Sequence, residues 1–311
     1  MSILVLAEHT GYGVFGGFAV YTFFVVSGYW IAIMWRSKYS KMPRPYLTYL
    51  ISRIWRLYPA FFITAFCASA AFGIWDIRNF NMLANPLADL YFRTPLLLHA
   101  WTLAYETQFY ILAPILLAAL TAPSTLSISC AIIAVGAYLT WSSATLQVIC
   151  LIFFFVGMTA ATRDLRPTVP WALMSPIMAL IFVVMLIAIP SARVSVLGGV
   201  GDYFHFYFFQ IGYSNAANIA VVVLMLPFTL WILRIKSSRT DRTLGEISYT
   251  LYLAHLPALT LAPSGYGWPL ALLAGATLWM VTLPFEGARH SFLAKWALRV
   301  PSQGIGEPLR P

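Results

Sequence analysis

The sequence predicts an all-α, polytopic membrane protein of about ten transmembrane helices, and three observations carry that expectation. Only 9% of the 311 residues are charged and 60% are hydrophobic, whereas a soluble domain carries about 25% charged residues. Apolar runs of the length that crosses a bilayer, about 20 residues, fill nearly the whole chain and leave no room for a soluble domain of ordinary size. Basic residues gather in alternate connections, as they do where cytoplasmic loops collect Lys and Arg.

Taken in order, the apolar stretch from Met1 to about Gly11 is too short to span alone and counts as a truncated first helix. Spans follow near 18–35, 54–75, 99–120, 125–142, 145–162, 170–190, 212–234, 245–263 and 268–287. With ten helices, Arg36, Lys38, Lys41, Arg44, Arg53, Arg56, Arg163, Arg166, Arg234, Lys236, Arg239 and Arg242 share one side with Arg289, Lys295, Arg299 and Arg310. That side is expected to be the cytoplasm, with a cytoplasmic C-terminus in the inner (plasma) membrane. The opposite loops carry only Arg78, Arg93, Asp76, Asp89, Arg193 and Asp202. They run over 76–98 and 191–211, and the second, rich in glycine and aromatics, is expected to dip back into the membrane. The division expected is a transmembrane domain over 1–290 and a short tail over 291–311. The early segment lacks the basic start and small-residue cleavage site of a signal peptide.

The net charge is +9, but its basic residues lack the aromatic interleaving of a nucleic-acid face, so no nucleic-acid partner is expected. Cys67, Cys130 and Cys150 lie in apolar segments without metal-ligand spacing. They are expected to fill the core, and neither a metal site nor a tightly bound cofactor is expected.

The polar residues inside the spans carry the chemistry. Glu106 lies in WTLAYETQFYILAPILLAAL, residues 101–120. A carboxylate that deep costs about 2.5–3.5 kcal/mol on insertion scales, and such groups face a cavity and take part in function. His9 ends the first helix on the outer side, while Glu106 lies about 10 Å into the fourth, so the two can meet at one outer cavity. A neutral imidazole beside a carboxylate is a general base of fixed tautomer; the alternative is an interfacial histidine and a carboxyl that bonds helices together. Glu8 is either a second site carboxylate or a headgroup contact.

Arg53 and Arg56, at i and i+3, share one helix face and suit either a bidentate phosphate clamp or topology anchoring. Thr243 and Glu246 fit a capping box at the start of the ninth helix. Beyond them Ser248, Tyr252 and His255 form a polar stripe that either lines a passage for substrate or ties helices together. In FFVVSGY, residues 23–29, Ser27 and Gly28 read as close helix packing, and no base stands beside Ser27 in the sequence.

Together these segments resemble the acyltransferase 3 family of integral membrane acyltransferases. The resemblance runs in order through FFVVSGY (23–29), RIWRLYP (53–59), WTLAYETQFY (101–110) with Pro114, and GEISYTLYLAH (245–255), with His9 matching the histidine that ends the family's first helix. It implies transfer of an acyl group, often acetyl, from cytoplasmic acyl-CoA to an extracytoplasmic carbohydrate or lipid-linked glycan. It also implies His9 as catalytic base, Glu106 as its partner in the site, and Arg53 with Arg56 as acyl-CoA contacts. Two departures stand out: the family's basic residue eleven positions before the histidine has no counterpart, and Glu8 stands where an apolar residue is usual. The competing class is a transporter or flippase, since intramembrane Glu and His also make proton relays. Related halves and paired helix interruptions would favour it, and no internal repeat is present.

Overall fold

The computed structural model describes residues 1–11, 16–83, 96–141, 145–188, 213–263 and 265–298. Among the described residues there are ten α-helices and no strand. They are α1 (Ser2–His9), α2 (Gly16–Ser37), α3 (Pro45–Phe72), α4 (Trp101–Thr121), α5 (Thr125–Trp141), α6 (Thr145–Thr162), α7 (Val169–Ala188), α8 (Tyr213–Ile232), α9 (Arg239–Leu261) and α10 (Gly267–Leu298). Among the described residues five segments are long and apolar enough to cross a membrane: Gly16–Lys41, Pro45–Phe72, Leu98–Thr121, Val169–Leu186 and Gly267–Trp296. Leu146–Thr162 and Ala217–Ile232 are shorter apolar helices. The segment expected to dip back into the membrane lies outside the described residues.

Helix ends follow local chemistry. Pro45 opens α3 at a position where its missing N–H loses nothing, and Gly73, at φ 69°, closes it in the left-handed conformation that glycine adopts without a Cβ penalty. The capping box of α9 is formed by Ser238 and Asp241, each side chain bonded to the other's backbone N–H. This corrects the expected Thr243–Glu246 cap. The cap lies five residues earlier, with the helix starting at Arg239, so Glu246 is interior, and its carboxylate accepts from Trp279 Nε1 at 3.2 Å. α10 continues past residue 290 to Leu298, where Trp296 Nε1 donates to Thr48 Oγ1 at 3.1 Å.

Contacts between helix ends sort the bundle into two poles. At one, Arg36 donates to the Ala161 carbonyl, Arg234 pairs with Asp164 at 2.6 Å, and Phe292 meets Trp55. The expected basic side is therefore one end of the molecule. Asp164 is exposed, and its bonds from Arg234 and Arg166 hold its carboxyl below the usual aspartate range. At the other pole, Glu8 accepts from the Gly16 N–H, Asn218 accepts from the Phe18 N–H at 2.7 Å, and Trp268 donates to Thr10 at 3.1 Å. Glu8 thus serves the first backbone N–H of α2, where a helix end favours an anion.

α2 runs through the middle, packed on α6, α8 and α4. Its contact with α6 is backbone to backbone. A Cβ on Gly28 would fall 2.0 Å from the Phe154 carbonyl oxygen, and one on Gly157 would fall 1.9 Å from that of Val25. Phe24, Phe109 and Phe154 fill the space beside this seam. Of the cysteines, Cys150 is buried, whereas Cys67 and Cys130 lie on the outer surface, which corrects the expected core role for those two. A lipid-facing helix surface is as apolar as the interior, so hydrophobicity does not separate the two locations.

Candidate functional site

The pole opposite the basic residues gathers three histidines. α1 ends at His9, and its buried Leu6 packs on Leu251, Ala258 and Ala271 of α9 and α10. That packing sets the His9 ring 5.0 Å from the His255 ring, the planes 23° apart, with Nδ1 of His9 2.9 Å from Nε2 of His255. His255 is fully buried, and its Nδ1 lies 2.6 Å from the Tyr252 carbonyl. A carbonyl only accepts, so that nitrogen carries the proton. With both rings neutral, His255 Nε2 is then the acceptor, and His9 Nδ1 donates to it. His9 is left with its lone pair on Nε2, the tautomer of a general base.

His99, in the short turn Leu98–Ala100 before α4, completes the group, its ring 4.8 Å from that of His255. Its Nε2 donates to the Leu253 carbonyl at 3.0 Å, while its buried Nδ1 has no hydrogen-bond partner. Tyr252 donates its hydroxyl proton to the His99 carbonyl, and Thr102 donates to the Tyr252 oxygen at 2.6 Å. Tyr252 thereby locks α9 to the start of α4. Ser248, one turn before Tyr252 on α9, is half-buried.

Glu106 has a different set of partners. It is buried, and its Oε1 accepts from Ser27 at 3.1 Å and from Tyr110, which stands one turn later on the same helix. Tyr110 in turn presents its ring to the Arg53 guanidinium, 5.8 Å from the centroid, and Tyr39 and Tyr49 flank the same cation at 5.7 and 5.9 Å. Arg53 is 7% exposed, and its Nε donates to no acceptor. Arg53 and Arg56 both lie within Coulombic reach of Glu106. Arg56 itself is exposed and lines a cleft with Trp55, Glu246, Tyr249, Trp279 and Glu286. Arg289 pairs with Glu286 at 2.6 Å and donates to Ser52 at 3.2 Å.

The structure brings His9 to His255, and it brings Glu106 to Ser27, Tyr110 and the arginines. The seven residues from His99 to Glu106 correspond to about 10 Å of helix rise, so the acid lies about two turns deeper than His99. Sequence reading missed His99, whose only signal is an imidazole two residues ahead of the WTLAYE run. It also missed Tyr39, Tyr49 and Tyr110 around Arg53, since aromatics are common in any span. Among the described residues no group of three or more His, Cys, Asp or Glu side chains could hold a metal ion.

Chemically, the arrangement offers a base with a fixed tautomer at one end, a buried carboxylate mid-bundle, and cations beyond it. BcsY of Komagataeibacter xylinus, whose name marks it as a candidate membrane-bound transacylase, is 27% identical over 296 residues, covering 83% of this chain and 70% of its own. No solved structure matches. The family model described as an acyltransferase domain matches residues 2–287. With that match over nearly the whole described bundle, the chain belongs to the acyltransferase 3 family and is a membrane acyltransferase.

Proposed function

We propose that the protein transfers an acyl group, in the simplest case acetyl, from cytoplasmic acyl-CoA to a hydroxyl of an extracytoplasmic carbohydrate or lipid-linked glycan. The observation that carries this reading is the His9–His255 hydrogen bond, because it leaves the proton-accepting nitrogen of His9 on Nε2. The acceptor hydroxyl gives its proton to that nitrogen as its oxygen attacks the thioester carbonyl. The C–S bond then breaks, and the proton leaves with the thiolate as free thiol. The positive charge on His9 is shared with His255, which is anchored through its own N–H to the Tyr252 carbonyl. Glu106, held by Ser27 and Tyr110, orients or charge-balances the site from mid-bundle.

The donor enters from the basic pole, where Arg56 and Arg53 meet it, and Ser248, Tyr252 and His255 flank its passage toward His9. No tightly bound cofactor is needed. In this reading the bundle of ten helices, the first truncated, sits in the inner membrane, with the basic pole and the C-terminus in the cytoplasm. The segregation of Arg36, Arg234 and Arg289 to that pole supports this orientation.

Acyl-CoA turnover by the purified protein in sealed vesicles tests the reading. His9→Ala should abolish transfer to added glycan. Wild-type rates in that variant would remove His9 from the chemistry, and mass spectrometry of surface glycans from cells with and without the gene would identify the acceptor.

A further inference from the structure

We infer that Arg53 and Tyr49 form a buried recess for one secondary amide of the donor's neutral pantetheine arm, leaving the donor's phosphates to Arg56. The inference rests on the acyl-CoA reading above and deepens it. Two polar atoms in one aromatic cage are buried without a partner: Nε of Arg53 and the hydroxyl of Tyr49. Tyr49 is fully buried and Arg53 is 7% exposed. The two residues are four apart on α3, hence on one face, and the guanidinium carbon lies 5.9 Å from the Tyr49 ring centroid. Leaving such groups unpaired is unfavourable, so a native site holds a partner for them.

The chemistry of the orphan pair selects that partner. Arg53 Nε–H only donates, whereas a tyrosine hydroxyl also accepts. One donor and one acceptor match a secondary amide, whose C=O takes the first and whose N–H meets the second. A phosphate could accept from both hydrogens, but the surroundings exclude it. Arg53 is walled by the rings of Tyr39, Tyr49 and Tyr110, and Tyr110 already bonds the buried Glu106. A dianion placed there would lose its water and face a carboxylate. Arg56, three residues on and exposed at the cleft, keeps a solvated phosphate within reach. The arm of the donor carries two such amides on its way to the thioester. A recess at Arg53 therefore holds it mid-bundle, between the basic pole and the histidines.

The test uses the full chain in detergent, with binding read by thermal protection and calorimetry. The probes are coenzyme A, pantetheine, and adenosine 3′,5′-bisphosphate, which carries phosphate but no amide. Pantetheine is expected to bind the wild type and to compete with coenzyme A. Tyr49→Phe and Arg53→Lys should each weaken pantetheine about fivefold and leave the nucleotide unchanged, and Arg56→Gln should do the reverse. Tyr49→Phe keeps the ring and its packing, so it answers the question if Arg53→Lys fails to fold. Coenzyme A binding with no pantetheine binding, or nucleotide loss in Arg53→Lys or Tyr49→Phe with pantetheine retained, overturns the amide recess alone. So does a crystal structure with only water on the two atoms and pantetheine elsewhere. Absence of coenzyme A binding altogether brings down the donor reading, and the recess falls with it.

Discussion

His9 donates through Nδ1 to Nε2 of His255 across 2.9 Å, and His255 donates onward to the Tyr252 carbonyl at 2.6 Å. Two neutral imidazoles and one backbone carbonyl thus fix which nitrogen of His9 is basic. His9→Ala should lower transfer by about 10²–10⁴, the range of general-base catalysis. His255→Ala should fall within the same range with little change in donor KM, and the double variant should be no slower than His9→Ala, because the pair acts as a unit. Steady-state rates in vesicles check this; additive losses would separate the two histidines.

Glu106 holds two hydroxyl donors, Ser27 and Tyr110. Tyr110→Phe removes one of them from a buried carboxylate and also the link to the Arg53 cage. It should cost about 1–3 kcal/mol of stability, seen as a lower thermal midpoint in detergent, whereas Ser27→Ala should cost less. An unchanged midpoint in Tyr110→Phe would mean that water replaces the hydroxyl.

The α2–α6 seam has no room for side chains. A Cβ at Gly157 would meet the Val25 carbonyl oxygen at 1.9 Å, so Gly157→Val should prevent native packing and lower the yield of folded protein, with Gly28→Ala milder in the same direction. Overpacking of this kind costs about 1–3 kcal/mol or more. Size-exclusion profiles and thermal unfolding read the outcome.

Asp164 ties the turn after α6 to Arg234 at the end of α8, and its carboxyl is held below its ordinary range by Arg234 and Arg166. A group whose folded pKa is depressed contributes stability above its unfolded pKa and loses it as pH falls through the folded one. The stability gap between wild type and Asp164→Asn should therefore be present at neutral pH and narrow as the pH is taken below the ordinary aspartate range, about 4. A gap that persists in acid would assign the effect to packing.

Orientation is open to direct labelling. In a background without Cys67, Cys130 and Cys150, Ser237→Cys at the basic pole should react with an impermeant maleimide only from the cytoplasmic face. Gly265→Cys, at the histidine pole, should react only from the other. Labelling of both from one side would refute the proposed topology.

The helices were legible in the sequence because a bilayer demands apolar residues throughout a span, and because the basic residues mark one pole. The α9 stripe was legible for a similar reason: Tyr252 and His255 are too polar to face lipid, and both turn inward to α4 and α1. Which polar groups meet was not legible. Spacing put His9 at the outer end and Glu106 about 10 Å deeper, near enough to meet at one mouth, yet spacing does not give azimuth, and His255 takes the place beside His9. Arg53 and Arg56 share a face by count, but one lies among three tyrosines and the other stands exposed. The Thr243–Glu246 pattern imitated a cap that Ser238 and Asp241 supply.

Leu6 is sealed against Leu251, Ala258 and Ala271, and Trp268 clasps Thr10. The eight residues of α1 are in effect a splint on the α9–α10 hairpin, so the hydrogen bond between His9 and His255 is braced from both sides of the ring pair.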